Sequence, residues 1–101
     1  MKPKLSEKDF MGQIVQLAAA CGWKHYHVFD SRKSVAGFPD LLLIHPTFGK
    51  LFGNLINPFG KLIVAELKVD NRKTTGAQML WLRWFEACGV PAYTWRNTEA
   101  D

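Results

Sequence analysis

The stretch Lys61-Leu62-Ile63-Val64-Ala65-Glu66-Leu67-Lys68-Val69 decides how the rest of the chain is read. Apolar residues run through it almost without a break on both alternating faces, as in a strand covered from both sides. Charge enters only near its end. Alternation puts Val64, Glu66 and Lys68 on one face and Ala65, Leu67 and Val69 on the other. Taken alone, Glu66 and Lys68 read as an ordinary ion pair on an exposed strand face, a common and weak feature.

The preceding segment changes that reading. Gly37-Phe38-Pro39 is turn chemistry, and Asp40 opens the aliphatic run Leu41 to Ile44, a second strand. In a hairpin the mouth of this strand lies beside the end of the next, so Asp40 and Glu66 converge. Two carboxylates there make an oxygen-rich, anionic pocket suited to Mg²⁺ or Mn²⁺. Such an ion holds a phosphate oxygen and lowers the pKa of a bound water. Lys68, on the same face, is placed to steady that water and the charge that builds on phosphorus.

Further upstream, Ser6-Glu7-Lys8-Asp9 is a helix start, a hydroxyl cap with an acid three residues on. Phe10, Ile14, Leu17, Ala18 and Cys21 recur at helical spacing, and Gly22 supplies the stop. Trp23 to Phe29 is aromatic and β-branched enough for a strand, and Ser31-Arg32-Lys33-Ser34 is a basic loop. Downstream, Asp70-Asn71-Arg72-Lys73 is a charged turn and Thr75-Gly76-Ala77-Gln78 a second capping box. Leu80, Trp84, Phe85 and Cys88 give the buried face of a second helix, ended by Gly89. Val90 to Arg96 is the last strand, with Pro91 tolerable at its start.

Positions 45 to 61 are punctuated by Pro46, Gly49, Gly53, Pro58 and Gly60, which argues for a loop. Phe48, Leu51, Phe52, Leu55, Ile56 and Phe59 nevertheless fall into a helical apolar stripe. The segment reads as a glycine-weakened helix or a packed excursion whose apolar side needs cover.

The predicted order is helix, three strands, helix, strand: an α/β fold with one mixed sheet flanked by helices, in a single domain over 1–101. The chain is 101 residues long, 48% hydrophobic and 13% aromatic, which excludes a disordered tail. The run Leu41 to Ile44 falls far short of the ~20 apolar residues of a membrane helix, and no signal peptide precedes the first helix. A net charge of +4 is permissive for nucleic acid and no more. The two cysteines, Cys21 and Cys88, form no disulfide framework or zinc spacing and read as small buried residues at helix ends, in a reduced, intracellular protein.

Gly37-Phe38-Pro39-Asp40, Ala65-Glu66-Leu67-Lys68 and Thr75-x-x-Gln78 together resemble the VRR-NUC (virus-type replication-repair nuclease) branch of the PD-(D/E)xK nucleases, over roughly Ser6 to Arg96. The resemblance implies the PD-(D/E)xK core fold and Mg²⁺- or Mn²⁺-dependent hydrolysis of phosphodiester bonds in DNA. By it, Asp40 and Glu66 are metal ligands, joined by the backbone carbonyl of Leu67 and by Glu7. Lys68 is the catalytic lysine, and Gln78 is the glutamine that faces the site. Short members of this kind look like phage or bacterial enzymes that dimerise and cut branched DNA as Holliday-junction resolvases do. The implied setting is the cytoplasm of a bacterium or of a virus-infected host cell. One departure is plain: the stretch between Asp40 and Glu66 is longer and more apolar than the tight hairpin of the family.

Several of these residues also carry a plainer reading. Glu7 suits the first-turn helix dipole, and Gln78 suits the capping box of Thr75, or both roles at once. His25, His27 and His45 lack the spacing of a metal set and read as surface or partly buried histidines. Arg32, Lys33, Arg72 and Lys73 leave the strand ends that carry the site, so a DNA backbone reaching the metal passes them. Trp81, Trp84 and Trp95 read as core or dimer surface. Two other functions are compatible with the sequence: a non-catalytic DNA-binding module on the same fold, and an interaction protein that uses the Phe48–Phe59 stripe.

Overall fold

The computed structural model describes residues 5–28, 35–47 and 60–97. Their elements run α1 (Glu7–Ala20), β1 (Lys24–His27), β2 (Leu41–His45), β3 (Lys61–Val69), α2 (Gly76–Ala87) and β4 (Ala92–Asn97). This is the predicted order. Arg32, Lys33 and the Phe48–Phe59 stripe lie outside the described residues.

Both helices begin as the sequence predicts. Ser6 Oγ accepts the Asp9 N–H at 3.1 Å, and at α2 Thr75 and Gln78 form a complete reciprocal capping box. Both end on a glycine in the left-handed region, Gly22 (φ 91°) and Gly89 (φ 83°), which a side chain resists. The strands form one sheet in the order β1-β2-β3-β4. β1–β2 and β2–β3 are antiparallel, whereas β4 runs parallel to β3. A parallel neighbour needs a crossover, and α2 supplies it.

β3 is central and is the most buried element: Val64 and Ala65 are wholly enclosed, one on each face. On one face Leu41, Leu43, Ile63, Ala65 and Leu67 form the core with Ala18 of α1, backed by Phe10, Met11, Ile14, Val15, Trp23 and Trp95. On the other, α2 packs on β3 and β4.

Five expectations need correction. Cys21 and Cys88 are exposed, not buried. Each is the cap just past its helix, and the contacts with the sheet are made earlier, by Ala18 and Leu82. On α1, Leu17 is exposed, and the packed face turns toward Met11 and Val15. On α2, Phe85 faces inward as predicted, but Leu80 and Trp84 are exposed, and Gln78, Trp81 and Leu82 face inward in their place. That helix carries apolar residues nearly all round, so hydropathy alone selects no unique face. Its rotation is set by Gln78 and Trp81, whose polar atoms have partners on the sheet side. β1 is also shorter than predicted, and β4 begins at Ala92, after Pro91.

The corrected face of α2 has a direct test by urea unfolding. Leu82→Ala removes a buried side chain and should cost about 2–4 kcal/mol. Leu80→Ala, on the exposed side, should cost less than about 1 kcal/mol.

Candidate active site

The site begins with a turn clamped to α2. Gly37 has φ 84°, and a Cβ built there would lie 2.5 Å from the carbonyl carbon of Ala77. Glycine alone satisfies both the backbone angle and the approach. Trp81 Nε1–H donates to the Ala36 carbonyl at 3.2 Å, and Phe38 packs edge-on against Trp81 and Phe85. Pro39 is fully buried. The chain thus enters the sheet at a fixed angle, which aims Asp40.

Asp40 is held from two directions. Its carbonyl accepts the Val28 N–H at 3.1 Å, tying it to the end of β1, and its Oδ2 accepts the Leu67 N–H at 2.7 Å. A short bond to a carboxylate is among the stronger hydrogen bonds available to a strand end. The register Leu41↔Ala65 then sets Asp40 next to Glu66 on the same face, as the sequence predicts. In a strand the N–H and C=O of one residue leave by the same edge. The Leu67 carbonyl therefore points past the end of β2, on the edge where Asp40 takes the N–H.

Glu66 is 2% exposed. Its Oε1 accepts from Gln78 Nε2 at 3.1 Å, while Gln78 Oε1 accepts the Thr75 N–H at 2.9 Å. Gln78 therefore does both jobs that its position allows: it closes the capping box and orients the buried carboxyl. Glu66 Oε2 is buried without a donor among the described residues. The Glu66 carboxyl is pushed up to about 9, first by burial and then by the adjoining Asp40 carboxyl and its charge. Lys68 opposes the shift, and Glu7 adds to it.

Lys68 is half-buried on the same face, beside Arg96 in the β3–β4 register. Among the described residues it closes no ion pair within 4.0 Å. The ordinary Glu66–Lys68 bridge is therefore not what this strand forms. Glu7 sits at the start of α1 with its Oε2 4.0 Å from Arg72 Nη1, both side chains well exposed. The Arg72 carbonyl accepts from Arg96 Nη1. Lys73 follows on the same exposed turn, after Asp70, which takes a positive φ of 57°.

His25 and His27 stack on each other with centroids 5.9 Å apart. His45 is buried one position past the Lys24↔Ile44 pair, its Nε2 3.0 Å from the Cys21 carbonyl and its ring edge-on to Trp23. Among the described residues no group of three or more His, Cys, Asp or Glu side chains is gathered to hold a metal ion. Two carboxylates are gathered, with a backbone carbonyl on the same edge. That donor set suits a hard cation that keeps several waters and binds through one or two carboxylates plus a phosphate. The buried, donorless Glu66 Oε2 also fits a cation, which would satisfy it where no N–H does.

Two residues to which sequence reading assigned no part in the site support it, Trp81 having read as core or dimer surface. Trp81 holds the turn before Asp40, and its position three residues after Gln78 was the available signal, since i and i+3 share a helix face. Arg96 stands beside Lys68. Only the parallel register reveals it, because strand alternation alone does not say which strand adjoins which.

Neither a protein-family model nor a curated protein matches the sequence. Among solved structures the chain is similar to Hjc, a Holliday junction resolvase from the archaeal hyperthermophile Archaeoglobus fulgidus, with a TM-score of 0.61 at 14% identity. The match covers 91% of this chain and 68% of the resolvase. The likeness shows the fold alone: one mixed four-stranded sheet with flanking helices, as in the resolvase.

The buried carboxyl makes stability depend on pH in a definite direction. Because the folded value (about 9) lies above the unfolded one (4.5), the native state binds the extra proton between them. Metal-free stability should therefore be full below about 4.5 and fall as pH rises toward about 9. Thermal unfolding across this range should show the decline, and Glu66→Gln should flatten it.

Proposed function

We propose that this chain is a metal-dependent DNA endonuclease that hydrolyses phosphodiester bonds in branched DNA, of the VRR-NUC kind and acting as a homodimer. The observation that carries the reading is the pairing of Asp40 with Glu66. A carboxyl buried to 2% exposure, with one oxygen left without a donor among the described residues, is placed against a second carboxylate. As a purely structural feature this is costly, since it desolvates one acid beside another. A divalent cation removes the conflict. The likeness to a Holliday junction resolvase in fold supports the same class of reaction.

In this reading Mg²⁺ or Mn²⁺ is held by Asp40, Glu66 and the Leu67 carbonyl, with Glu7 joining directly or through water. Bound there, the ion supplies Lewis acidity toward a phosphate oxygen and a water. The protein's own groups do the rest. Lys68 Nζ steadies the attacking water and offsets the negative charge gathering on phosphorus. Gln78 Nε2 keeps Glu66 turned toward the cation. Arg72 and Lys73 take flanking phosphates, a role that Arg32 and Lys33, outside the described residues, share in this reading. The products carry 5′-phosphate ends. A cell interior, bacterial or virus-infected, supplies such a substrate.

The test is cleavage of a labelled panel: single strand, duplex, splayed arm, flap and four-way junction, each with Mg²⁺, Mn²⁺ or EDTA. Metal-dependent cutting of the branched forms is expected, lost in EDTA and reduced by at least about a hundredfold in Lys68→Ala. Binding without cutting in either metal would favour a non-catalytic module on the same fold. Replacing Arg72 and Lys73 with Ala should lower the salt slope of DNA binding by about 2, near 0.9 for each phosphate no longer neutralised. An unchanged slope would remove both from the interface.

A further inference from the structure

Two residues singled out for different tasks are found holding each other. Glu7 belongs with the metal and Arg72 with the DNA, yet Glu7 Oε2 faces Arg72 Nη1 at 4.0 Å. Glu7 is close enough for its charge to act on Glu66, but it is not gathered with Asp40 and Glu66 as a third ligand. Arg72 is not loose either. Its carbonyl is taken by Arg96, a β4 residue beside Lys68, which anchors the turn on the side of the sheet that carries the site. The backbone of Arg72 is thus pinned while its guanidinium is free to change partners.

We propose that the Glu7–Arg72 pair is an exchange device that couples DNA binding to metal binding, with Arg72 as a positioning residue. This rests on the nuclease reading above. Without DNA, Arg72 engages Glu7 and competes with the cation for that carboxylate. A DNA phosphate is a better partner for the guanidinium, since its oxygens match the planar fork. Once Arg72 turns to phosphate, Glu7 is released toward the cation and the acidic set is strengthened. By linkage, the cation then raises DNA affinity by the same factor that DNA raises cation affinity. The coupling is modest because the pair is exposed and solvent-screened: about two- to fivefold.

The experiment measures Mn²⁺ binding by water-proton relaxation, so it needs no turnover. The forms are wild type, Arg72→Gln, Glu7→Gln, the double variant, and Lys73→Gln as a control for loss of a charge on the same turn. Arg72→Gln should tighten Mn²⁺ binding about two- to fivefold when Glu7 is present and leave it unchanged in the Glu7→Gln background. Lys73→Gln should change it less. Repeated with a four-way junction in a Lys68→Gln background, which keeps the DNA whole, added DNA should tighten Mn²⁺ binding, and Arg72→Gln should remove most of that gain. Equal tightening with and without Glu7, or none at all, would overturn the exchange and leave the nuclease reading standing. Failure of every form to bind Mn²⁺ would overturn both. Circular dichroism on each variant separates a loss of binding from a loss of fold.

Discussion

A carboxyl group buried beside another carboxylate is the constraint on which this structure turns. Glu66 is taken from water in the central strand, and Asp40 is set against it from the neighbouring strand. Burial raises the cost of ionising Glu66, and the neighbouring Asp40 charge adds to it. A protein can keep such a pair by holding a proton between them or by holding a cation. The rest of the local architecture keeps the two acids from moving apart. Asp40 is bound to the Leu67 N–H, and Glu66 to Gln78.

α2 is the element that makes this rigid. Its first turn receives Gly37 in contact with Ala77, its Trp81 takes the Ala36 carbonyl, and its Gln78 reaches Glu66. One helix therefore sets both acids, one through the turn that delivers it and one by direct contact. Because Gln78 also closes the capping box with Thr75, the helix start and the site share a single side chain. Removing that amide would leave a buried carboxyl oxygen unmet, a loss of ~1–3 kcal/mol. Arg72 and Lys73 lie on the exposed turn that follows β3.

Much of this was legible in the sequence, for identifiable reasons. The uninterrupted apolar run of β3 with Glu66 and Lys68 near its end, and the Gly37-to-Asp40 turn, gave the order of elements and the meeting of two carboxylates, because strand alternation is a strict period. Ser6, Thr75, Gly22 and Gly89 marked helix ends through local hydrogen-bond and backbone requirements. Helix rotation was less legible. With Met79, Leu80, Trp81, Leu82, Trp84 and Phe85 distributed around α2, the face was chosen by polar contacts of Gln78 and Trp81 with distant residues, which no periodicity encodes. Cys21 and Cys88 were misplaced because the residue just past a helix does not share the burial of the helix face. The pairing of Glu7 with Arg72 joins residues on different elements, and only the assembled fold brings them together.

Asp40 and Glu66 are proposed as a carboxyl pair that takes a cation. The most direct measurement is the titration of the Glu66 side-chain carboxyl by carbon-13 NMR, with and without Mg²⁺. Without metal Glu66 should titrate far above ordinary carboxylates, toward about 9, and saturating Mg²⁺ should return it to the acidic range. A midpoint near 4.5 in the metal-free protein, or a high midpoint that Mg²⁺ does not move, would contradict the proposal.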